Sequence, residues 1–157
     1  MNYERIDILL IEDNEYEARL AIHSLKKHNL TNHLVHIKDG AVATDFIFGT
    51  GAYAGRDINM HPKVILLDIN LPKVNGLEIL RMIKSDKRTK SIPVVMLTSS
   101  RESRDVAEGY ALGANSYIVK PLDFDSFSRV MTELGIYWAI TNETSPYQLH
   151  YQAASHA

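Results

Sequence analysis

Val64-Ile65-Leu66-Leu67-Asp68-Ile69-Asn70-Leu71-Pro72 is a run of branched aliphatic residues with no polar alternation, ending on a carboxylate and a proline-closed turn. Such a run reads as a strand buried on both faces, as in a parallel sheet covered by helices. Three further runs share its form: Ile8-Leu9-Leu10-Ile11 before Glu12-Asp13, Val94-Val95-Met96-Leu97 before Thr98, and Tyr117-Ile118-Val119 before Lys120. Open α/β sheets hold their ligands at the carboxyl ends of the strands. Three carboxylates, a hydroxyl and an ammonium are therefore expected to converge on one small patch.

Between these runs the sequence turns helical. Asn14 with Glu17 forms a capping pair ahead of an apolar stripe through Ala18, Ala21, Ile22 and Leu25, and Asn75 with Glu78 repeats the device ahead of Leu77, Leu80 and Ile83. Leu34 to Ile37, short and half polar, reads as an edge strand followed by a helix through Ala41, Val42, Phe46 and Ile47. A fourth helix runs from about Ser103 to a glycine stop at Gly113, and Asp123 opens a fifth carrying Phe124, Phe127, Val130, Met131 and Leu134. Five βα units in series predict a doubly wound α/β domain over residues 1–141. Residues 142–157, polar and aperiodic from about Ser145, read as a flexible tail.

Several classes are excluded. With 17 basic and 19 acidic residues the chain has no charge excess that would announce nucleic acid or a membrane surface. The absence of cysteine removes disulfides, thiol redox chemistry and cysteine-ligated zinc. No apolar stretch approaches the roughly 20 residues of a membrane span, and the N-terminus lacks a signal-peptide pattern, so a cytoplasmic protein is expected. Gly49, Gly51 and Gly55 lie in a long connection to Pro62, but a phosphate loop follows a strand and opens a helix, and this one does the reverse. It reads as a surface loop with a use in partner contact. The spacings of His33 with His36 and of His23 with His28 do not place either pair on one face of a strand or helix. Thr98-Ser99-Ser100 lacks the glycine-flanked elbow of a serine hydrolase.

The chemistry starts with Glu12, Asp13 and Asp68. Such acids repel and raise one another's pKa unless a cation sits among them, and magnesium suits hard oxygen ligands that leave room for water and phosphate. A Glu-Asp pair after a strand is, taken alone, more often a cap or a solvated turn; convergence with Asp68 and Lys120 reverses that balance. Asp68 is the candidate nucleophile for an aspartyl-phosphate, with Lys120 as point cation and the Thr98 hydroxyl and backbone N–H groups bonding the remaining oxygens. A phosphatase that uses Asp-x-Asp-x-Thr is the competing class. Its second carboxylate is missing from Asp68-Ile69-Asn70-Leu71-Pro72, so a phosphate on Asp68 should persist.

Glu12-Asp13, Asp68 with Leu71-Pro72 and Gly76, Thr98, and Lys120-Pro121 together resemble the response-regulator receiver domains of the CheY-like type in two-component signalling. The resemblance covers about residues 1–140. It implies the flavodoxin-like strand order 2-1-3-4-5, metal ligation by Glu12, Asp13, Asp68 and the Asn70 backbone carbonyl, and Asp68 as phosphoacceptor. Thr98 and Tyr117 occupy the positions of the family's switch, in which the aromatic rotates inward as the hydroxyl moves; Asn70 and Ser100 flank the phosphoryl site. A narrower resemblance links the long Gly49 to Pro62 loop, the stretch from Leu66 to Lys73 and Tyr137-Trp138 to small regulators that partner cyanobacterial and bacterial phytochrome histidine kinases. It implies a phosphoryl donor of that type and, with no output domain after residue 141, action through protein contact and not enzymatic turnover. The alternative is a receiver-like interaction module that no longer needs phosphate.

Two structural expectations follow. The Lys120-Pro121 peptide is expected to be cis, since X-Pro alone makes that isomer inexpensive and a sharp turn would aim the lysine inward. Gly135 to Ile140 is apolar around most of its circumference, which predicts a homodimer through Tyr137 and Trp138.

Overall fold

A computed structural model describes residues 5–145. The elements in chain order are β1 (Ile8–Ile11), α1 (Glu15–Lys26), β2 (Leu34–Ile37), α2 (Gly40–Phe48), β3 (Val64–Leu67), α3 (Gly76–Ser85), β4 (Val94–Thr98), α4 (Ser103–Ala111), β5 (Ser116–Val119) and α5 (Phe124–Ile136). All strand pairs are parallel, in the order β2-β1-β3-β4-β5. The chain steps one way from β1 to β2 and the other way from β2 past β1 to β3. Right-handed crossovers then put α1 and α5 on one face and α2, α3 and α4 on the other.

The three central strands, β1, β3 and β4, are aliphatic up to their last residue because both faces are covered. Ile8, Leu10, Val64, Leu66, Val95 and Leu97 pack with Ala18, Ala21 and Leu25 of α1 and with Phe127 and Met131 of α5. Their neighbours Leu9, Ile11, Ile65, Leu67, Val94 and Met96 pack with Phe46 and Ile47 of α2 and with Leu77, Leu80 and Ile83 of α3. The register aligns Ile8 with both Leu34 and Val64, so β1 and β3 end level, and their next residues stand side by side.

The predicted caps form, with one difference. Asn14 Oδ1 accepts the Glu17 N–H at 2.9 Å, Asn75 Oδ1 the Leu77 N–H at 2.8 Å, and Asp123 Oδ1 the Ser126 N–H at 2.8 Å. Glu17 itself does not close a reciprocal box; its carboxylate goes elsewhere. The long connection after α2 is folded, with a 3₁₀ turn at Gly51–Tyr53. Arg56 donates to the Phe46 and Met60 carbonyls at 2.8 and 2.9 Å and stacks 4.2 Å from the Phe46 ring centroid. Because helices run antiparallel to the strands they follow, this connection lies at the amino end of the sheet, away from the strand-end carboxylates. That placement removes the phosphate-loop reading physically.

After α5 the chain widens into a π-helical turn over Tyr137–Thr141. Lys63, just before β3, donates to the Ala139 carbonyl at 2.9 Å and so ties this turn to the sheet. Trp138 is half-buried against the α1/α5 side of the core, in edge contact with Tyr137, which is 50% exposed. Of the expected tail, 142–145 is irregular and the rest lies outside the described residues.

One expectation is overturned. Among the described residues no peptide bond is cis, so Lys120-Pro121 is trans. The physical reason is that the lysine needs no sharp turn: the Lys120 N–H continues the sheet ladder to the Thr98 carbonyl at 2.8 Å. From that position its side chain already reaches the carboxylates across the strand ends.

Candidate functional site

Four strand ends build the site, and the sheet ladder carries into it. Glu12 N–H donates to the Ile37 carbonyl at 3.1 Å and Asp68 N–H to the Ile11 carbonyl at 3.2 Å, so both acids start from fixed backbone. Beyond Asp68 the chain folds back tightly. Gly76 N–H bonds the Ile69 carbonyl at 2.9 Å, and a Cβ on Gly76 would lie 2.0 Å from the Asp68 carbonyl oxygen. Only a residue without a side chain lets α3 dock against the end of β3.

Lys120 lies at the centre. Its Nζ donates to Asp68 Oδ2 at 2.9 Å, to Glu17 Oε2 at 2.6 Å and to Glu12 Oε1. Glu12, Asp68 and Lys120 are 4%, 6% and 5% exposed. Carboxylate oxygens of Glu12, Glu17 and Asp68 lie within 4.8 Å of one another. Asp68 Oδ1 accepts the Asn70 N–H at 3.2 Å. Thr98 is fully buried at the end of β4, its hydroxyl accepting the Ser100 N–H at 3.4 Å.

Charge in this cluster is unbalanced, with three acids facing one ammonium. Burial would depress Lys120, yet Asp68, Glu12 and Glu17 outweigh it and hold the ammonium above the ordinary lysine range. Burial pushes the Glu12 carboxyl up to about 8 against the pull of Lys120, and the charge of Asp68 adds to the rise. The deepest acid is thus the one driven to keep a proton. Hard oxygen donors at this spacing, carrying more negative charge than Lys120 can offset, fit a small divalent cation whose binding would release that proton.

The sequence expectations map onto this geometry unevenly. Glu12, Asp68, Thr98 and Lys120 come together. Asp13 follows Glu12 but is exposed, and its carboxylate is not among the converging oxygens. Glu17 takes that place, and sequence reasoning missed it by assigning its side chain to a helix cap. The available signal was topological: the first turn of α1 starts directly above the carboxyl end of β1. Asn70 is exposed on the turn after Asp68. Tyr117, on β5, is half-buried, with its hydroxyl donating to the Ser100 carbonyl at 2.9 Å.

A five-stranded parallel sheet of this order, with an acid and lysine cluster at the carboxyl ends of β1, β3 and β5, defines a receiver of two-component signalling. The chain belongs to the response regulator receiver domain family, which matches residues 8–131. It is similar to the response regulator Rcp1 of Synechocystis, with 35% identity over 134 residues that span 85% of this chain and 89% of Rcp1. The crystal structure of manganese-bound Rcp1 superposes with a TM-score of 0.82 at 34% identity, covering 89% of this chain and 99% of that one. The crystal structure of RcpA, a phosphorylated cyanobacterial phytochrome response regulator, gives 0.81 at 34% identity over 88% and 97%. FilR2 of Methanothrix harundinacea, a probable methanogenesis regulatory protein, is 37% identical over 131 residues, 83% of this chain and 82% of FilR2.

Proposed function

We propose that this receiver is a phosphorylatable switch in which Asp68 accepts the phosphoryl group of a sensor kinase's phosphohistidine with magnesium bound among the acids. The observation that carries the reading is the placement of Asp68. Its carboxylate is buried at a strand end, bonded on one oxygen by Lys120 and on the other by a backbone N–H. An Asp68 oxygen attacks phosphorus, the P–N bond breaks, and the electron pair stays on the imidazole nitrogen. In this reading Lys120 and the Thr98 hydroxyl bond the added oxygens. Glu12, Glu17 and Asp68 would supply the metal's carboxylates, with Asp13 and the Asn70 carbonyl as the further ligands the family resemblance implies. Magnesium, when bound, supplies neutralisation of phosphoryl charge.

The manganese-bound Rcp1 and the phosphorylated RcpA support this assignment. RcpA is described as a phytochrome response regulator, and similarity over nearly its whole length favours a phytochrome-type histidine kinase as donor here. Among the described residues no helix is long and apolar enough to cross a membrane, in keeping with a cytoplasmic exchange between two proteins. The phosphate-independent alternative fits poorly with a nucleophile, a cation and a buried hydroxyl assembled at one point.

Incubation with phosphoramidate and magnesium, read by intact mass, tests the reading. One phosphoryl group should appear and should vanish in Asp68→Asn; full-rate labelling of the variant would refute the assignment. Output through a second copy of the chain is part of the proposal. Ile136, Tyr137 and Ile140 are 38%, 50% and 67% exposed on the last helix and its π turn, and they form a continuous apolar edge that Trp138 backs from beneath.

A further inference from the structure

Ser100, on the loop between β4 and α4, is held by three hydrogen bonds that lead in different directions. Its N–H reaches the Thr98 hydroxyl at 3.4 Å, its carbonyl accepts the Tyr117 hydroxyl at 2.9 Å, and its own hydroxyl donates to Asp105 Oδ2 at 2.5 Å. The short contact to the carboxylate is the strong member of the set. The loop spans residues 99–102. It borders an open cleft of about 550 Å³ lined by Asn70, Ser99, Ser100, Arg101, Arg104 and Asp105. Glu102, at the N-cap of α4, caps no backbone N–H of the first turn, its carboxylate accepting instead from Arg104 Nε at 3.0 Å, and Gly109 is the one buried residue of that helix.

Gly109 has a second property. A Cβ there would lie 3.1 Å from Tyr117 Cδ2 and 3.5 Å from Cε2. Glycine inside a helix is destabilising relative to alanine, and here it gives the ring space against α4. The tyrosine therefore rests in a seat with two parts, a carbonyl held by Asp105 through Ser100 and a gap left by Gly109.

We propose that Asp105 is a positioning residue for the Tyr117 switch: by bonding the Ser100 hydroxyl it fixes the carbonyl that seats the tyrosine, with no phosphoryl group required. This rests on the reading of Thr98 and Tyr117 as the moving pair, and it assigns the resting position of that pair to α4. Asp105 touches neither the phosphoryl site nor the metal ligands; it acts through Ser100.

The test uses the full chain without phosphodonor, with the Tyr117 χ1 rotamer measured from NMR coupling constants. The wild type should show one rotamer. Asp105→Ala and Ser100→Ala should each reduce the seated-to-unseated ratio about fivefold, the effect of losing one hydrogen bond. Asp105→Asn keeps an acceptor and should restore the wild-type couplings, which a merely structural role for the charge would not predict. Should Asp105→Ala fold poorly, Ser100→Ala carries the same comparison. Unchanged couplings in the alanine variants, or an asparagine variant that behaves like alanine, would overturn the proposal. Labelling of Asp68 is measured separately on the wild type, so failure of phosphoryl acceptance and failure of the seat are distinguishable.

Discussion

His61 gives the sharpest test of how the long connection is anchored. It is 3% exposed, just ahead of β3 at the amino end of the sheet. Burial, the largest cause, lowers its pKa from 6.5 to about 4, opposed by a hydrogen bond with the Arg88 backbone and assisted by the Arg56 charge. The folded state thus prefers the neutral imidazole. Above about pH 6.5 neither state is protonated and nothing is lost. Below it the unfolded chain takes up a proton that the folded chain refuses, so stability falls as the pH falls, and the loss is complete once pH passes below about 4. Linkage puts the loss at roughly 2–3 kcal/mol by pH 4.5, close to its limit. That is a large share of the 5–15 kcal/mol typical of a domain. Urea unfolding of the wild type and of His61→Leu at pH 7.5 and 4.5 isolates the term, because the acid response of every other group is common to both. The wild type should lose roughly 2–3 kcal/mol more than the variant, a difference of about 1 M in midpoint. Parallel losses in the two proteins would refute the argument.

Lys120→Met should destabilise the magnesium-free domain by about 3–5 kcal/mol, because Glu12 and Asp68 would be left buried without a cation. Magnesium should restore part of that in a denaturation series, and a variant indifferent to magnesium would count against a cation site among these acids. Gly76→Ala should lower both stability and the rate of phosphoryl acceptance, since its Cβ cannot coexist with the Asp68 carbonyl in the present backbone; unchanged labelling would show that the close approach does not position the nucleophile. Tyr137→Ala with Ile140→Ala should abolish dimerisation in sedimentation at micromolar concentration. A wild type that remains monomeric with and without phosphodonor would remove the proposed interface.

β1, β3 and β4, buried on both faces, and the edge strand β5 were legible because nothing else makes short aliphatic runs end so regularly on polar heads, and the caps at Asn14, Asn75 and Asp123 placed three helices. Strand order came through family resemblance, since periodicity in one chain says nothing about which strands are neighbours. Within the site, Asp13 and Glu17 exchanged prominence. Adjacency to Glu12 favoured Asp13 on paper, whereas alternation along an extended chain turns consecutive side chains apart and the first turn of α1 brings Glu17 over the lysine. The cis peptide was inferred from a need to aim Lys120 that the sheet ladder already meets. Trp138 read as surface because a helical wheel cannot anticipate a π turn, nor the Lys63 bond that draws the turn under the core.

Lys63 ties the π turn after α5 to the segment entering β3, and so gathers that turn, the Gly-rich connection and the apolar edge at one pole of the molecule. The acids and the lysine occupy the other, roughly 13 Å away along a strand of four residues. A sequence could therefore rewrite one pole, lengthening the connection or exchanging Tyr137 and Ile140, without disturbing a single contact of Asp68. Rigid strands between the poles make chemistry and assembly separately heritable, so that relatives can keep one reaction while diverging in the company they keep.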